Sequence, residues 1–337
     1  MSAPQDPDFQ APPPPSTPEA EPQAPRPTKL LWPIAIGVFV LGLIFVGGGL
    51  AKLLAGGAGT GAALCFLGVV LFALSFIRLP LLPNPEPPLS WFERVTGIFY
   101  EPSRVFRNLR FHPAWIGAFL AIWVLTTIYS TAFVQRITPE RIVDHTIEKV
   151  GQMGAFAPPP EAMNQMRVDQ LDALKNPVQR VGGALKSLVG IFVLSGLLPA
   201  ALILLGVLVF GGRINFWQSL AVVFYSALPV IAIQKILGLV ILYLKSPDDL
   251  HPILNQETTL QDNLGILLTP AEHPVLFVIA SFIGLTSFYW LWLRAKGIHF
   301  AGTRVSKGQG WGVAITLWLL LLIFVVIITA LFPQFIS

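Results

Sequence analysis

The sequence predicts an all-α polytopic membrane protein with seven spans, in which a two-helix transmembrane hairpin precedes a bundle of five helices. Hydrophobic residues make up 54% of the chain and charged residues only 12%, and the mean hydropathy is +0.67. A soluble globular protein carries more charge than this. The chain also contains seven apolar runs of the roughly 20 residues that cross a hydrocarbon core as a helix. Strand-like alternation is absent from these runs, which excludes a barrel.

The first 30 residues are predicted to be a disordered cytoplasmic tail. Residues 1–30 are rich in Pro, Ala, Gln and Glu, and four prolines follow one another from Pro12 to Pro15. This composition favours polyproline II conformation over a packed core. The apolar run that follows is too long for a cleavable signal peptide, so we expect it to remain as an anchor.

The seven apolar runs fall into two groups. Two lie within residues 31–79, joined by a glycine-rich turn, and this predicts the hairpin. Five lie within residues 113–337 and predict the bundle. The seven predicted spans are residues 31–54, 61–79, 113–134, 185–210, 216–244, 275–293 and 311–332.

The positions of Lys and Arg predict a cytoplasmic N-terminus and an extracytoplasmic C-terminus. With this orientation the cytoplasmic segments hold twelve Lys and Arg residues, and the short outer segments hold only Lys52 and Lys245. Most of the others lie in a long outer loop, residues 135–185, where acidic residues nearly balance them. This asymmetry follows the positive-inside rule.

Residues 80–112 are predicted to form an interfacial segment of two amphipathic helices on the cytoplasmic surface. Large apolar residues recur with helical spacing from Trp91 to Phe99, and Pro102 suits the first turn of a second helix. Arginines beside these apolar faces are placed to meet anionic lipid headgroups, each contributing about 1 kcal/mol. The predicted lipid or partner interface consists of Trp91, Phe92, Arg94, Phe99, Arg104, Phe106, Arg107 and Arg110.

Three stretches of the sequence resemble a known family. WFERVTGIFYEPSRVFRNLRFHPAW, which begins at Trp91, resembles the start of the Yip domain of Rab/Ypt-interacting membrane proteins. FWQSLAVVFYSALPVI from Phe216 resembles its middle helices, and FYWLWLRAKGIHFAGTRVSKGQGWGVAI from Phe288 resembles its penultimate helix and the basic loop after it. The resemblance covers roughly residues 89–332 and implies a five-helix bundle with a cytoplasmic N-terminus.

The same resemblance sets limits on what can be carried over. The hairpin of residues 31–79 is an addition to the five-helix plan. The long outer loop resembles the bacterial branch of the family, which implies a bacterial inner membrane and no Rab GTPase partner. We therefore expect the fold to transfer better than the function.

Lys235 is the one clear case of an ionisable residue in the interior of a predicted span, and Gln234 lies beside it. An intramembrane lysine costs a few kcal/mol, so it normally faces the bundle interior, a wet cavity or an acceptor group. Three roles are open to this polar pair: bonding backbone carbonyls of a neighbouring helix, binding a ligand or lipid, and relaying protons or ions. The sequence favours the structural role, and the relay is the least favoured because no span contains an Asp or Glu to pair with the lysine.

Two outer loops contain residue types that bind metals. In the first, which is predicted to form two amphipathic helices, three methionines lie near His145, a set of soft ligands that suits Cu(I). In the second, acidic residues lie near His251 and His273, as in a hard-cation site. Packing of the methionines and solvation of the acidic loop explain both patterns more simply. We therefore predict no metal and no other cofactor.

The sequence predicts a membrane scaffold or organiser and not an enzyme. It lacks the zinc-protease, serine-hydrolase and phosphate-loop motifs, so no catalytic residue is predicted. Its expected partners are membrane lipids, membrane proteins or further copies of itself, with no nucleic acid, and small-residue faces such as Gly57/Gly61 and Gly206/Gly211 suit such contacts. The alternative is a small-solute transporter or channel that uses a helix break at Pro229 and Lys235. A polar cavity reaching Lys235 would favour the alternative.

Overall fold

The computed structural model describes residues 31–54, 56–78, 87–154 and 157–333, so the predicted disordered tail lies outside the described residues. The described residues form fourteen α-helices and no strand, which confirms the all-α class. The helices are α1 (Leu31–Leu50), α2 (Gly57–Ser75), α3 (Trp91–Tyr100), α4 (Pro102–Phe111), α5 (Ile116–Ile137), α6 (Pro139–Gly151), α7 (Pro160–Lys175), α8 (Pro177–Gly190), α9 (Leu198–Val209), α10 (Phe216–Leu244), α11 (Leu254–Glu257), α12 (Pro274–Ser281), α13 (Leu285–Ala301) and α14 (Lys307–Leu331).

Six helices in the described part of the chain are long and apolar enough to cross a membrane. They are α1, α2, α5, the continuous helix Pro177–Val209, α10 and α14. The protein is therefore a multi-pass membrane protein. The predicted number of seven spans is not confirmed, because the predicted span of residues 275–293 is divided between α12 and α13.

The division between α12 and α13 is caused by contacts with Asp262 and Asn263, which precede α12 in the chain. Gly284 adopts extended backbone geometry and pairs with Asn263 in an isolated bridge. The carboxylate of Asp262 then accepts a hydrogen bond from the backbone N–H of Thr286 at 2.6 Å, which satisfies a free donor in the first turn of α13. The apolar run therefore begins a second helix at Leu285 and continues to Ala301, beyond the predicted end at residue 293.

The helix predicted for residues 185–210 begins earlier and contains a π-helical segment. It starts at Pro177, where the Asn176 side chain accepts from the N–H of Val178 at 2.9 Å, and it passes through the π segment Ile191–Leu197 into α9. Pro199 has no backbone N–H and so cannot make the usual helical hydrogen bond. A π segment just before a proline absorbs this missing bond without ending the helix.

Helices α1 and α2 form the predicted hairpin through very close backbone contact. A Cβ atom on Gly61 would lie 2.5 Å from the carbonyl oxygen of Gly42, and one on Gly57 would lie 2.8 Å from that of Phe45. The Gly57/Gly61 face, which we predicted to gather partners, is thus occupied by α1. Gly206 likewise packs against Val313 of α14.

Helix α10 lies at the centre of the bundle and packs against α5, α9 and α13. Its side chains from Trp217 to Ser226 are all buried. The helix is continuous through Pro229, so the predicted break there is not a helix end. The burial of this half of α10 closes the bundle interior at the end where α10 begins.

The predicted outer loop, residues 135–185, contains the two predicted amphipathic helices, α6 and α7. Arg167 of α7 pairs with Asp144 of α6 at 2.7 Å, and Lys175 pairs with Glu140. A second core cluster beneath them includes Tyr129, and it joins α5 to the far end of α10. The outer helices are therefore packed onto the bundle.

Candidate functional site

The interfacial segment forms α3 and α4 because both helices have strong start signals. The Ser90 hydroxyl accepts from the N–H of Glu93 at 3.2 Å, and the Glu93 carboxylate accepts from the N–H of Ser90 at 2.8 Å, which completes a capping box. The hydrogen bond from the Ser90 backbone lowers the pKa of the Glu93 carboxyl group. Pro102 occupies the first turn of α4, as predicted.

One face of this segment is part of the bundle core. Ile98, Val105, Phe106 and Leu109 have almost no exposed surface. A Cβ atom on Gly297 would lie 2.9 Å from the ring of Phe106, so α13 and α4 are in close contact. Phe106, which we predicted to contact lipid or partners, is instead a core residue, because its ring fills the space left by a glycine on α13.

The opposite face presents aromatic and basic side chains to the surroundings. Trp91 is 58% exposed and Phe92 is 67% exposed, and Phe99 is also exposed. Arg104 and Arg107 lie beside them with exposed side chains. These five are the predicted interface residues that remain available to a lipid or a partner.

The other two predicted arginines are used in hydrogen bonds to backbone carbonyl groups of the protein. Arg110 donates to the backbone carbonyl of Thr303 at 2.7 Å, across nearly two hundred residues of chain. Arg94 donates to the carbonyl of Leu89 at 2.5 Å, and its buried Nε atom has no hydrogen-bond partner within the described ranges. The Arg110 bond ties α4 to the connection between α13 and α14, whereas the Arg94 bond lies within the interfacial segment.

Gln234 and Lys235 make contacts on different sides of α10. Gln234 donates to the hydroxyl of Thr286 at 3.4 Å. The Lys235 ammonium donates to the backbone carbonyl of Glu257, and lies 4.6 Å from the ring centroid of Tyr129 and 3.6 Å from the Glu257 carboxylate. Lys235 is therefore tied to the loop that follows α10.

A polar cavity reaches Lys235 from the end of the bundle opposite to α4. At the α4 end, Gln218 of α10 donates to the carbonyl of Arg110 at 2.7 Å. Lys235 lies 17 residues further along α10, about 25 Å away at 1.5 Å per residue. The cavity has a volume of about 380 Å³, and we call it the Lys235 cavity. It is lined by Gly56, Thr60, Thr126, Thr127, Ser130, Thr131, Val134, Ala173, Leu174, Gln179, Arg180, Gly183, Ala184, Lys186, Ser187, Lys235, Gln256 and Glu257.

Helix α5 supplies four of the six hydroxyl groups that line this cavity, and the four follow one repeated pattern. Thr126, Thr127, Ser130 and Thr131 lie at positions i, i+1, i+4 and i+5, so they share a helix face. The indole N–H of Trp123 donates to the carbonyl of Ala184 at 2.9 Å and joins α5 to α8. The hydroxyl pattern is visible in the sequence, although its role depends on the packing of α8 against it.

Arg294 is a buried cation that the sequence did not indicate. We predicted it in a cytoplasmic loop, whereas α13 continues past it and leaves it 5% exposed. Its guanidinium lies 4.0 Å from the ring centroid of Trp290, and its Nε lies 3.5 Å from the Ser226 hydroxyl. The helical spacing of Trp290 and Arg294 is the signal that could have revealed this pair.

The two loops that contain metal-binding residue types meet at His145 and His251. The rings of His145 and His251 lie 5.0 Å apart in an edge-to-face arrangement. Burial lowers the pKa of both imidazoles, and the positive charges of Lys149 and Arg141 lower it further. Within the described residues, no three His, Cys, Asp or Glu side chains are grouped closely enough to hold a metal ion.

Comparison with known families identifies the bundle. A family model of the Yip1 domain matches residues 96–328, which is more than half of the chain. The chain belongs to the Yip1 family. Neither a search of curated proteins nor a search of solved structures found a match. The resemblance of the three quoted stretches to this family is thereby confirmed.

The matched Yip1 domain begins within α3 at Thr96 and ends within α14 at Ile328. The α1–α2 hairpin precedes these residues. The Lys235 cavity therefore has walls from both parts of the chain: Gly56 and Thr60 come from the hairpin, and the other lining residues come from the Yip1 domain.

Proposed function

We propose that this protein is a non-catalytic membrane organiser that binds anionic lipid headgroups, together with membrane-protein partners or further copies of itself, through the exposed face of α3 and α4. The observation that carries the proposal is the division of this segment into two faces. Ile98, Phe106 and Leu109 hold it in the bundle core, and Trp91 and Phe92 remain exposed. A rigid, amphipathic surface of this kind suits the headgroup layer.

The charge of the same surface supports an anionic lipid as its partner. Arg104 and Arg107 are exposed beside the aromatic side chains. Arg104 pairs with Glu101 at 3.2 Å, but both side chains are more than half exposed, so this pair contributes little and can exchange for a phosphate. Each arginine near an anionic surface contributes about 1 kcal/mol of binding free energy.

The proposed orientation places this surface in the cytoplasm of a bacterial cell, at the inner membrane. Arginines of several segments meet at this end of the bundle. Arg110 donates to the carbonyl of Thr303, and the backbones of Arg213 and Arg304 pair in an isolated β-bridge. A concentration of arginine at one end of the spans supports its cytoplasmic placement. Anionic lipids of the inner leaflet are then the headgroups within reach.

The lipid part of the proposal is tested with full-length protein in nanodiscs of phosphatidylcholine, with and without phosphatidylglycerol. We expect phosphatidylglycerol to raise the melting temperature of the wild type, and R104Q/R107Q to lose most of this gain. The matched control K52Q/K245Q removes two exposed cations from other segments and should keep it. An equal gain in wild type and R104Q/R107Q would refute lipid binding by this surface.

The partner part of the proposal is tested by chemical crosslinking in the native membrane followed by affinity purification. Wild-type protein should retain a defined membrane protein or a second copy of the chain. W91A/F92A should lose that species while remaining folded, because both side chains are exposed. Retention of the same species by W91A/F92A would exclude this face as the partner site.

A second candidate function is transport of a small solute, and the Lys235 cavity is the observation that favours it. The cavity reaches an intramembrane lysine from one end of the bundle, which is the arrangement expected of a one-sided access state. The buried half of α10 closes the path towards α4. Uptake of radiolabelled phosphate or acetate into proteoliposomes, abolished by K235M, would establish transport, and wild-type uptake equal to that of empty vesicles would exclude it for these solutes.

A further inference from the structure

We propose that the Lys235 cavity binds a small ligand that carries a phosphate or carboxylate group. This inference goes beyond the lipid surface of α3 and α4 and does not depend on it, because the two sites lie at opposite ends of α10. It also does not require transport. The argument comes from the charges, the free hydrogen-bonding groups and the size of the cavity.

The lining of the cavity carries more positive than negative charge. Three cations, Arg180, Lys186 and Lys235, line it against a single carboxylate, that of Glu257. This carboxylate is a weak internal partner: its side chain is 90% exposed and its oxygen is 3.6 Å from the Lys235 ammonium, beyond a hydrogen bond. An anion that enters the cavity can therefore replace it beside the lysine.

The Lys235 ammonium has donor capacity left for such a ligand. An ammonium group has three N–H donors. One of them is donated to the backbone carbonyl of Glu257, and one side of the ammonium faces the ring of Tyr129, whose centroid is 4.6 Å away. The Lys235 side chain is only 7% exposed, so a ligand charge next to it is poorly screened by water.

The other two lining cations are free of ion pairs within the described ranges. Neither Arg180 nor Lys186 makes an ion pair with a described carboxylate. Both are on α8, which the hydrogen bond between Trp123 and Ala184 holds against α5. A guanidinium can bind a phosphate or carboxylate through two parallel hydrogen bonds.

The hydroxyl groups of α5 add neutral donors to the same wall. The Oγ1 atom of Thr127 is buried and has no hydrogen-bond partner among the residues that the structure describes. A buried hydroxyl without a partner costs about 1–3 kcal/mol. A ligand oxygen in the cavity would remove this cost, and Thr126, Ser130 and Thr131 lie on the same wall.

The dimensions of the cavity suit a small molecule or a headgroup. Its volume of about 380 Å³ falls at the lower end of the range of ligand sites, about 300–1,000 Å³. The hairpin closes one wall, because a Cβ atom on Gly182 of α8 would lie 2.7 Å from the Thr60 hydroxyl oxygen of α2. The hairpin thus takes part in forming the site.

The test uses full-length protein with S187C as a reporter in a C65A background. Ser187 lines the cavity and is exposed, so a cysteine there should react with a maleimide. A bound anion should slow this reaction and leave the reaction of K245C, a remote exposed control, unchanged. Inorganic phosphate and acetate are added to protein in a zwitterionic detergent, and phosphatidylglycerol is added in phosphatidylcholine nanodiscs.

Protection by phosphate or acetate would identify a free anion as the ligand, and protection by phosphatidylglycerol alone would identify a lipid headgroup. In either case R180Q/K186Q should need roughly tenfold more ligand for the same protection. R180K, which keeps the charge, should be affected less than R180Q, and R104Q/R107Q should bind like the wild type. K235M should also lose protection. If K235M does not fold, R180Q/K186Q still tests the proposal, because Lys186 is exposed and its replacement leaves the core intact.

Absence of protection with all three probes would overturn the proposal. Protection that is unchanged in R180Q/K186Q would overturn it as well. Loss of lipid stabilisation in R104Q/R107Q, with cavity protection intact, would separate this site from the proposed function of α3 and α4.

Discussion

Gly61 of α2 approaches α1 so closely that a Cβ atom on it would lie 2.5 Å from the carbonyl oxygen of Gly42. The contact is with rigid backbone, so a side chain at position 61 must move one helix away from the other. Helices in lipid associate mainly through such close packing. Lipid tails are as apolar as the side chains, so the hydrophobic effect does not drive the helices together. The hairpin therefore depends on glycine at this position.

We expect G61A to destabilise the α1–α2 hairpin by about 1–3 kcal/mol, the usual cost of overpacking a tight contact. G37A is the matched control, because a Cβ on Gly37 meets no atom within 4 Å. It should be neutral or slightly stabilising, since alanine favours a helix over glycine. Thermal unfolding in detergent compares the two, and a melting temperature of G61A equal to that of G37A would contradict the tight contact.

The pair of His145 and His251 predicts a loss of stability on acidification. Burial lowers the pKa of both imidazoles relative to the unfolded value of about 6.5. The folded state then binds fewer protons, so the stability due to these groups is complete above pH ~6.5 and is lost as the pH falls through the lower folded pKa. Melting temperatures measured between about pH 5 and 8 should decline towards the acid end.

His251→Asn separates this effect from general acid sensitivity. Nδ1 of His251 accepts hydrogen bonds from the N–H groups of Ile253 and Leu254 at 3.2 and 3.1 Å, and a protonated ring cannot accept them. An asparagine oxygen can accept and does not titrate in this range. H251N should therefore show a flatter pH dependence than the wild type, while H273N, a change at an exposed histidine, should not. Identical pH profiles of all three proteins would remove His251 as the cause.

Arg294 and Trp290 should show coupled contributions to stability. The guanidinium lies 4.0 Å from the ring centroid and has no ion pair with a described carboxylate. We expect W290L to be costly in the wild type and cheaper in R294M, with a coupling free energy of about 0.5–2 kcal/mol. R294M alone should be nearly neutral, because it removes an unpaired buried charge. A double-mutant cycle of unfolding free energies measures this, and additive effects would contradict a cation–π contact.

Tyr129 should stabilise the loop that follows α10. Its buried hydroxyl donates to the carbonyl of Asn255 at 2.6 Å. Y129F leaves this carbonyl without its donor and should cost about 1–3 kcal/mol. Y243F removes an exposed hydroxyl and is the control. Limited proteolysis between α10 and α12 should accelerate in Y129F only, and equal cleavage rates would show that the bond does not hold the loop.

The sequence by itself predicted the elements whose cause is local. The helical spacing of apolar residues from Trp91 to Phe99 predicted α3, which a capping box of Ser90 and Glu93 begins in the structure. Pro102 begins α4, and the apolar lengths of α1, α5, α10 and α14 were close to the observed helices. Capping, proline geometry and apolar length act over a few residues, so a single stretch of sequence contains the information.

The candidate sites were predicted only in part, because their geometry depends on contacts between distant residues. Lys235 and Gln234, which we predicted as a polar pair within a span, are buried and half-buried in α10. Phe106 was assigned to the surface, although its apolar side chain fits equally well in the core. Which face of α4 meets α13 is decided by Gly297, nearly two hundred residues away.

Composition and periodicity thus determined that this chain is a helical membrane protein, and its motifs determined the family. Tertiary structure alone decided that Asp262 accepts a hydrogen bond from Thr286 in the first turn of α13, that Arg294 is buried, and that α5, α8 and the hairpin enclose a cavity at Lys235. The physical reason is that hydrophobic length is a property of one segment. A hydrogen bond, a buried charge or a cavity wall exists only when two segments meet.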